Sequence, residues 1–358
     1  MRRLFPTLRM IAIIGAVTLA IDFLVTLLIP ARILDPWAQL QNDDLKVYDL
    51  DLPWHHEFKR NVSLNRTWGG ELYLFRSDQH GLRTGTCAGM DAAAEKDKTV
   101  FIIGDSFVEG LGLPFEQTLA GLLACAYRAR GLVARNLGVA GYSPVIYWRR
   151  IEEIARRLDL KPKEIVVFLD ISDIHTDAVD YGEENGRIVS RAPAEPPDFS
   201  RQTKTFFKRN SMTFAAVAAV MDHLRAARFD TTTALDKEAA MWTLDAHRYL
   251  AWGRRGLERN AANLERIVRR CAEWRCRMTL AVYPWPDQIM HGDRDSLQVW
   301  YWRDWSVRNG VRFVDAFGPF FELPARQAIE RYYLIGDVHL NAAGHRLLFE
   351  EAWKALKD

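Results

Sequence analysis

The chain predicts an α/β fold, a three-layer α/β/α sandwich around a mostly parallel sheet. Three observations predict it. Short runs of β-branched and aromatic residues at 100–103, 132–137, 165–169, 278–282 and 311–314 read as strands. The clearest of them, Val100-Phe101-Ile102-Ile103, lacks the alternation of a half-solvated strand and suits one buried on both faces. Between the runs, apolar residues fall at helical spacing: Leu119, Leu122, Leu123 and Ala126, then Tyr147, Ile151, Ile154 and Leu158, then Leu257, Ala261, Leu264, Val268 and Cys271. Connections among the first three strands are short, so the repeats imply right-handed crossovers and helices on both faces.

At 358 residues the chain holds one large domain or two small ones. Apolar content of 49% and charged content of 26% are ordinary for a globular protein. A net charge of +2, with arginines scattered along the chain, gives no footprint for nucleic acid. Tryptophans are frequent, and Trp242, Trp252, Trp300, Trp302 and Trp305 either pack the interior or face a sugar or lipid.

Taken in order, residues 1–9 carry Arg2, Arg3 and Arg9 and precede an apolar stretch over 10–30. About 20 apolar residues suffice to cross a bilayer as a helix. No small-x-small cleavage site follows, so the stretch reads as an uncleaved anchor in the inner (cytoplasmic) membrane. The arginines keep the N-terminus inside and place the remainder in the periplasm. Asp22 interrupts the span, where an acid either meets a membrane-protein partner or sits near the headgroups. Residues 31–97 read as an irregular lead-in with acids at 43, 44, 49 and 51, a short strand at 71–76, a turn at 81–83 and a solvated linker at 92–98. The main domain spans 98–358. It is interrupted over 177–255 by a Pro- and Gly-rich excursion and a helical insertion suited to a cap over the strand ends.

The chemistry gathers at two places. The first strand ends in Gly104-Asp105-Ser106, at the carboxyl edge where open α/β sheets bind ligands. Near the C-terminus stands Asp337-Val338-His339-Leu340-Asn341, before the closing helix 342–356. An imidazole titrating near 6.5 suits proton transfer with a serine, and an acid is needed to orient it. Asn341 is placed to cap the helix. Asp173-Ile174-His175-Thr176-Asp177 and His55-His56 are reminiscent of metal ligands, but no recognised ligand spacing or nucleotide loop is present, and no metal or organic cofactor is expected.

These residues resemble the SGNH, or GDSL-type, hydrolases, a family with a flavodoxin-like fold. Gly104-Asp105-Ser106-Phe107 matches the serine block, Asn136 to Ser143 the glycine block, and Asp337-Val338-His339 with Asn341 and Gly344 the histidine block. The resemblance implies Ser106 as nucleophile, His339 as base, Asp337 as orienting acid, and the N–H groups of Ser106 and Gly141 as oxyanion donors, with Gly141 small for close approach. The family's Gly-x-Asn-Asp block is replaced by Asp170-Ile171-Ser172-Asp173, which leaves Ser172 as third oxyanion donor. The acid lies two residues before the histidine, a spacing similar to that of alginate O-acetyltransferases, which act on exported polysaccharide. Asp173, Tyr283 and Trp285, at strand ends, are candidates for the substrate cleft. Outside the membrane thiols tend to oxidise, so Cys271 with Cys276, and Cys87 with Cys125, are candidate disulfides. The expected activity is a serine esterase or O-acyltransferase acting on an acylated carbohydrate. The alternatives are a lipid-directed esterase and a non-catalytic glycan-binding or assembly protein retaining the fold.

Overall fold

Five strands form one sheet, whose central strands have no solvent face to fill and whose edge strand at 312–315 is partly exposed. They are β5 (Thr99–Ile103), β6 (Val133–Asn136), β7 (Glu164–Leu169), β10 (Arg277–Val282) and β11 (Arg312–Asp315). Every side chain of β5 and β7 is buried. In the computed structural model all pairings in this sheet are parallel and the order is β11-β10-β7-β5-β6. The chain therefore steps one way from β5 to β6 and the other way to β7, which puts the topological switch point between β5 and β7. The structure describes residues 4–28, 45–48, 54–69, 71–87, 98–191 and 237–357, with isolated positions between 52 and 235.

Long helices cover both faces. Leu119–Arg128 and Ala342–Leu356 pack together on one face, and Pro144–Leu158 packs with Arg254–Trp274 on the other. Their caps are in the sequence. Thr118 accepts from the Gly121 N–H, and Asn341 accepts from Ala343 and Gly344 at 2.9 and 3.1 Å. Cys87 is bonded to Cys125 and Cys271 to Cys276. Trp242, Trp302 and Trp305 are buried in the core, whereas Trp300 is exposed, so these tryptophans do not form a common sugar- or lipid-facing surface.

The segment before β5 is more ordered than its sequence suggests. It forms two hairpins, β1 (Lys46–Tyr48) with β2 (His56–Phe58), and β3 (Ser63–Trp68) with β4 (Glu71–Arg76). Their inner faces add Trp54, Phe58, Tyr73 and Phe75 to the core. Buried ion pairs from Glu57 to Arg150 (2.5 Å) and Arg157 (3.0 Å) lock this segment to helix Pro144–Leu158. The period-2 signal was hidden because polar residues such as Arg66 and His56 occupy inward positions. The acids at 43, 44, 49 and 51 and nearly all of the 92–98 linker lie outside the described residues.

The 177–255 region is a further departure. It opens with a turn of wide helix at Thr176–Asp180 and a hairpin, β8 (Tyr181–Glu184) with β9 (Arg187–Ser190). Most of 192–236, where a helical cap is expected, lies outside the described residues. At the N-terminus, one helix runs from Leu4 to Leu28, starting six residues earlier than the 10–30 span and ending two short of it. Among the described residues no helix is long and apolar enough to cross a membrane. Side chains in this helix are described without a break only from Ile13 to Leu28. Asp22 accepts hydrogen bonds from the hydroxyl (2.9 Å) and N–H (3.3 Å) of Thr213, a partner within the chain.

Candidate active site

Ser106 follows β5 directly, and His339 precedes the closing helix, 233 residues later; the sheet brings them together. The imidazole Nε2 lies 2.9 Å from the Ser106 hydroxyl, and Nδ1 lies 2.5 Å from Asp337 Oδ1. The same carboxylate oxygen accepts the His339 backbone N–H at 3.0 Å. That second bond is possible because a two-residue spacing folds the acid back onto its own segment. The backbone of the segment is fixed in turn by the Leu334 N–H, which donates to the His339 carbonyl at 2.8 Å.

The electrostatics suit a base. Burial works against charge on His339, but the Asp337 bond and charge, with Asp105 and Asp170 beyond, outweigh it and hold the imidazole above its ordinary value. Burial pushes Asp337 up, yet its bonds to His339 bring it below the usual carboxylate range. Asp105 is buried and raised, first by desolvation and then by the like charge of Asp170. Asp170 is itself raised by burial, against bonds from Ser172 and Trp285. Asp170 takes the Trp285 indole N–H (2.5 Å) and the Ser172 N–H (2.5 Å), and Asp105 takes the Phe107 N–H (3.0 Å) and the Ser106 hydroxyl (3.1 Å).

Gly141, the other expected oxyanion donor, lies in the loop after β6. Gly141 has φ +86°, a left-handed conformation that other residues rarely adopt. A Cβ there would meet nothing closer than 3.7 Å, so the requirement is conformational rather than one of crowding. The N–H groups of Ser106 and Gly141 have no protein acceptor among the described residues. Glu109, fully buried, takes the Ala140 N–H at 2.7 Å and pairs with Arg66 at 2.7 Å. Lys46 and His56 bond the Ala140 carbonyl at 2.6 and 3.1 Å, and the Tyr181 hydroxyl donates to the Gly141 carbonyl at 2.7 Å. Arg83, buried and lowered to about 10 by desolvation, donates to the carbonyls of Glu109, Gly110 and Leu113.

Several sequence-level assignments change. Ser172 gives its N–H and its hydroxyl to Asp170, so its contact is with that carboxylate rather than with an oxyanion position. Asp173 does not line a cleft: it is buried and accepts the Tyr147 hydroxyl at 2.9 Å. Tyr283 and Trp285 are likewise buried, packed against Phe107 at ring distances of 5.0 and 6.1 Å, with Phe107 5.0 Å from His339. They lie behind Phe107, which packs against the His339 ring. His175 bonds Asp180 and Asp177 bonds Ser143, and among the described residues no three His, Cys, Asp or Glu side chains gather as metal ligands. Sequence reasoning missed Arg66, Arg83 and Lys46, whose only signal was the number of cations in a segment that looked irregular, and it met His56 only beside His55 as a reminder of metal ligands, whereas the structure sets it on the Ala140 carbonyl.

The GDSL-like lipase/acylhydrolase family model matches residues 102–347. The chain belongs to that family. As its membership implies, it is an ester-hydrolysing serine hydrolase. No curated protein sequence matches it. Among solved structures it is similar to a psychrotrophic esterase from Pseudoalteromonas sp., at 13% identity over 73% of this chain and 97% of that one (TM-score 0.37). It is also similar to an acetylxylan esterase from Geobacillus stearothermophilus, at 14% identity over 72% of this chain and 94% of that one (TM-score 0.40). A GDSL-like lipase from Bacteroides thetaiotaomicron is a third, at 14% identity over 75% and 94% of the two chains (TM-score 0.38).

Proposed function

We propose that this acylhydrolase works through an acyl-enzyme on Ser106 and acts on acyl esters of cell-envelope or exported polysaccharide. The observation that carries the reading is the unbroken relay from the Ser106 hydroxyl through His339 to Asp337, at 2.9 and 2.5 Å. The Ser106 oxygen attacks the ester carbonyl while its proton passes to His339 Nε2. The oxyanion that forms faces the N–H groups of Ser106 and Gly141, each worth roughly 3 kcal/mol to the transition state. Collapse breaks the bond to the leaving oxygen, which takes the proton back from His339. Water or a sugar hydroxyl then repeats the sequence on the acyl-enzyme, giving hydrolysis or O-acyl transfer.

The envelope setting is supported by two disulfides in a chain with no free cysteine, by the Asp-x-His spacing, and by the arginines at 2, 3 and 9 in the sequence ahead of its apolar stretch. On this reading the catalytic domain is periplasmic. Hydrolysis of a simple acetyl ester tests the chemistry. Ser106→Ala and His339→Ala, both folded, are expected to lose at least about 10³-fold in kcat. Folded wild-type protein inert toward esters would favour a binding protein that keeps only the fold.

A further inference from the structure

Strand β3 and its turn lie outside the stretch that matches the family, yet they touch the histidine block. The Trp68 ring stands edge-on to His339, with centroids 5.5 Å apart and planes at 90°. Its indole N–H reaches the Asp337 carboxylate and is one of the bonds that stabilise it. Leu334, whose N–H fixes the His339 carbonyl, rests against Gly69 at the hairpin turn and Gly112, just past the short helix Ser106–Glu109. Two residues back, Arg66 points inward to Glu109, which holds the Ala140 N–H of the oxyanion loop. A single strand thus reaches the base and acid on one side and the oxyanion loop on the other.

We propose that Trp68 is a positioning residue of this active site, clamping Asp337 and His339 from a hairpin that the acylhydrolase core does not itself contain. The proposal rests on Ser106, His339 and Asp337 being the catalytic set. Trp68 acts through that pair: its N–H selects one orientation of the carboxylate and its edge blocks rotation of the imidazole. Trp68 is 37% exposed, so it contributes less to the core than a buried tryptophan would.

Trp68→Phe keeps an aromatic edge and removes the donor; Trp68→Ala removes both. With the N–H gone, Asp337 is less stabilised and pulls harder on the imidazole proton. The acid limb of kcat/KM, set by His339 facing Asp337, Asp105 and Asp170, then moves to higher pH in Trp68→Phe. Its kcat falls about three- to tenfold with KM unchanged, and Trp68→Ala falls about 10²-fold, as misplaced catalytic groups do. A purely structural tryptophan would lower the unfolding midpoint and leave the acid limb of the folded protein in place. Wild-type kcat and acid limb in folded Trp68→Phe overturn the proposal, whether or not Trp68→Ala folds. If Ser106→Ala retains wild-type activity, the catalytic assignment fails first and this proposal with it. If Ser106→Ala is inactive while both Trp68 variants match wild type, only the clamp is wrong.

Discussion

At Asp170 the chain has a carboxylate where the family pattern has glycine, and it is aimed by Trp285 and Ser172 rather than left in solvent. Its charge favours imidazolium on His339. Asp170→Asn removes that charge, so neutral imidazole persists to lower pH, and the acid limb of kcat/KM is expected to shift downward. An unchanged limb would show that Asp170 does not act on His339. Asp337→Asn should be more severe, with kcat down about 10⁴-fold because the imidazole loses its tautomer. His345, by contrast, carries no chemistry. It is buried, held neutral by desolvation down to about 3, and accepts the Leu119 N–H at 3.1 Å. Ser106, His339 and Asp337 were legible because a strand end and a capped helix bracket them. Ser172 and Asp173 were misread because sequence gives a position at a strand end without the direction of the side chain.

The lead-in hairpins are the element that sequence reading underestimated. Alternation normally exposes a strand, but here Arg66 and His56 point inward, where Glu109 and the Ala140 carbonyl satisfy them. Such pairing is invisible until the partner strand is known. Arg66→Met leaves Glu109 charged and fully buried, at a cost of about 3 kcal/mol or more. Urea unfolding measures the loss, and kcat should drop as well because Glu109 no longer holds the oxyanion loop. The two disulfides should differ in the same assay. Cys87–Cys125 closes a separation of 38 residues and is worth about 4 kcal/mol by chain entropy, against about 2 kcal/mol for Cys271–Cys276, which spans 5. Equal losses on removing either pair would contradict that account.

At the scale of the molecule, the number and direction of the strands in the five-stranded sheet and its two-sided helical cover were legible, because apolar runs and helical spacing report burial directly. Strand order was not, since a crossover can return on either side of β5; the observed order places the Ser106 and Asp170 strand ends side by side at the switch point. The lead-in then closes over that edge and completes the site from outside the family core. The account depends on Ser106 being the one activated hydroxyl. Incubation of the full chain with a fluorophosphonate, followed by peptide mass mapping, tests this most directly. A single phosphonyl adduct on Ser106 that disappears in folded His339→Ala is the expected result; a folded wild-type protein left unmodified, or modified elsewhere, would contradict it.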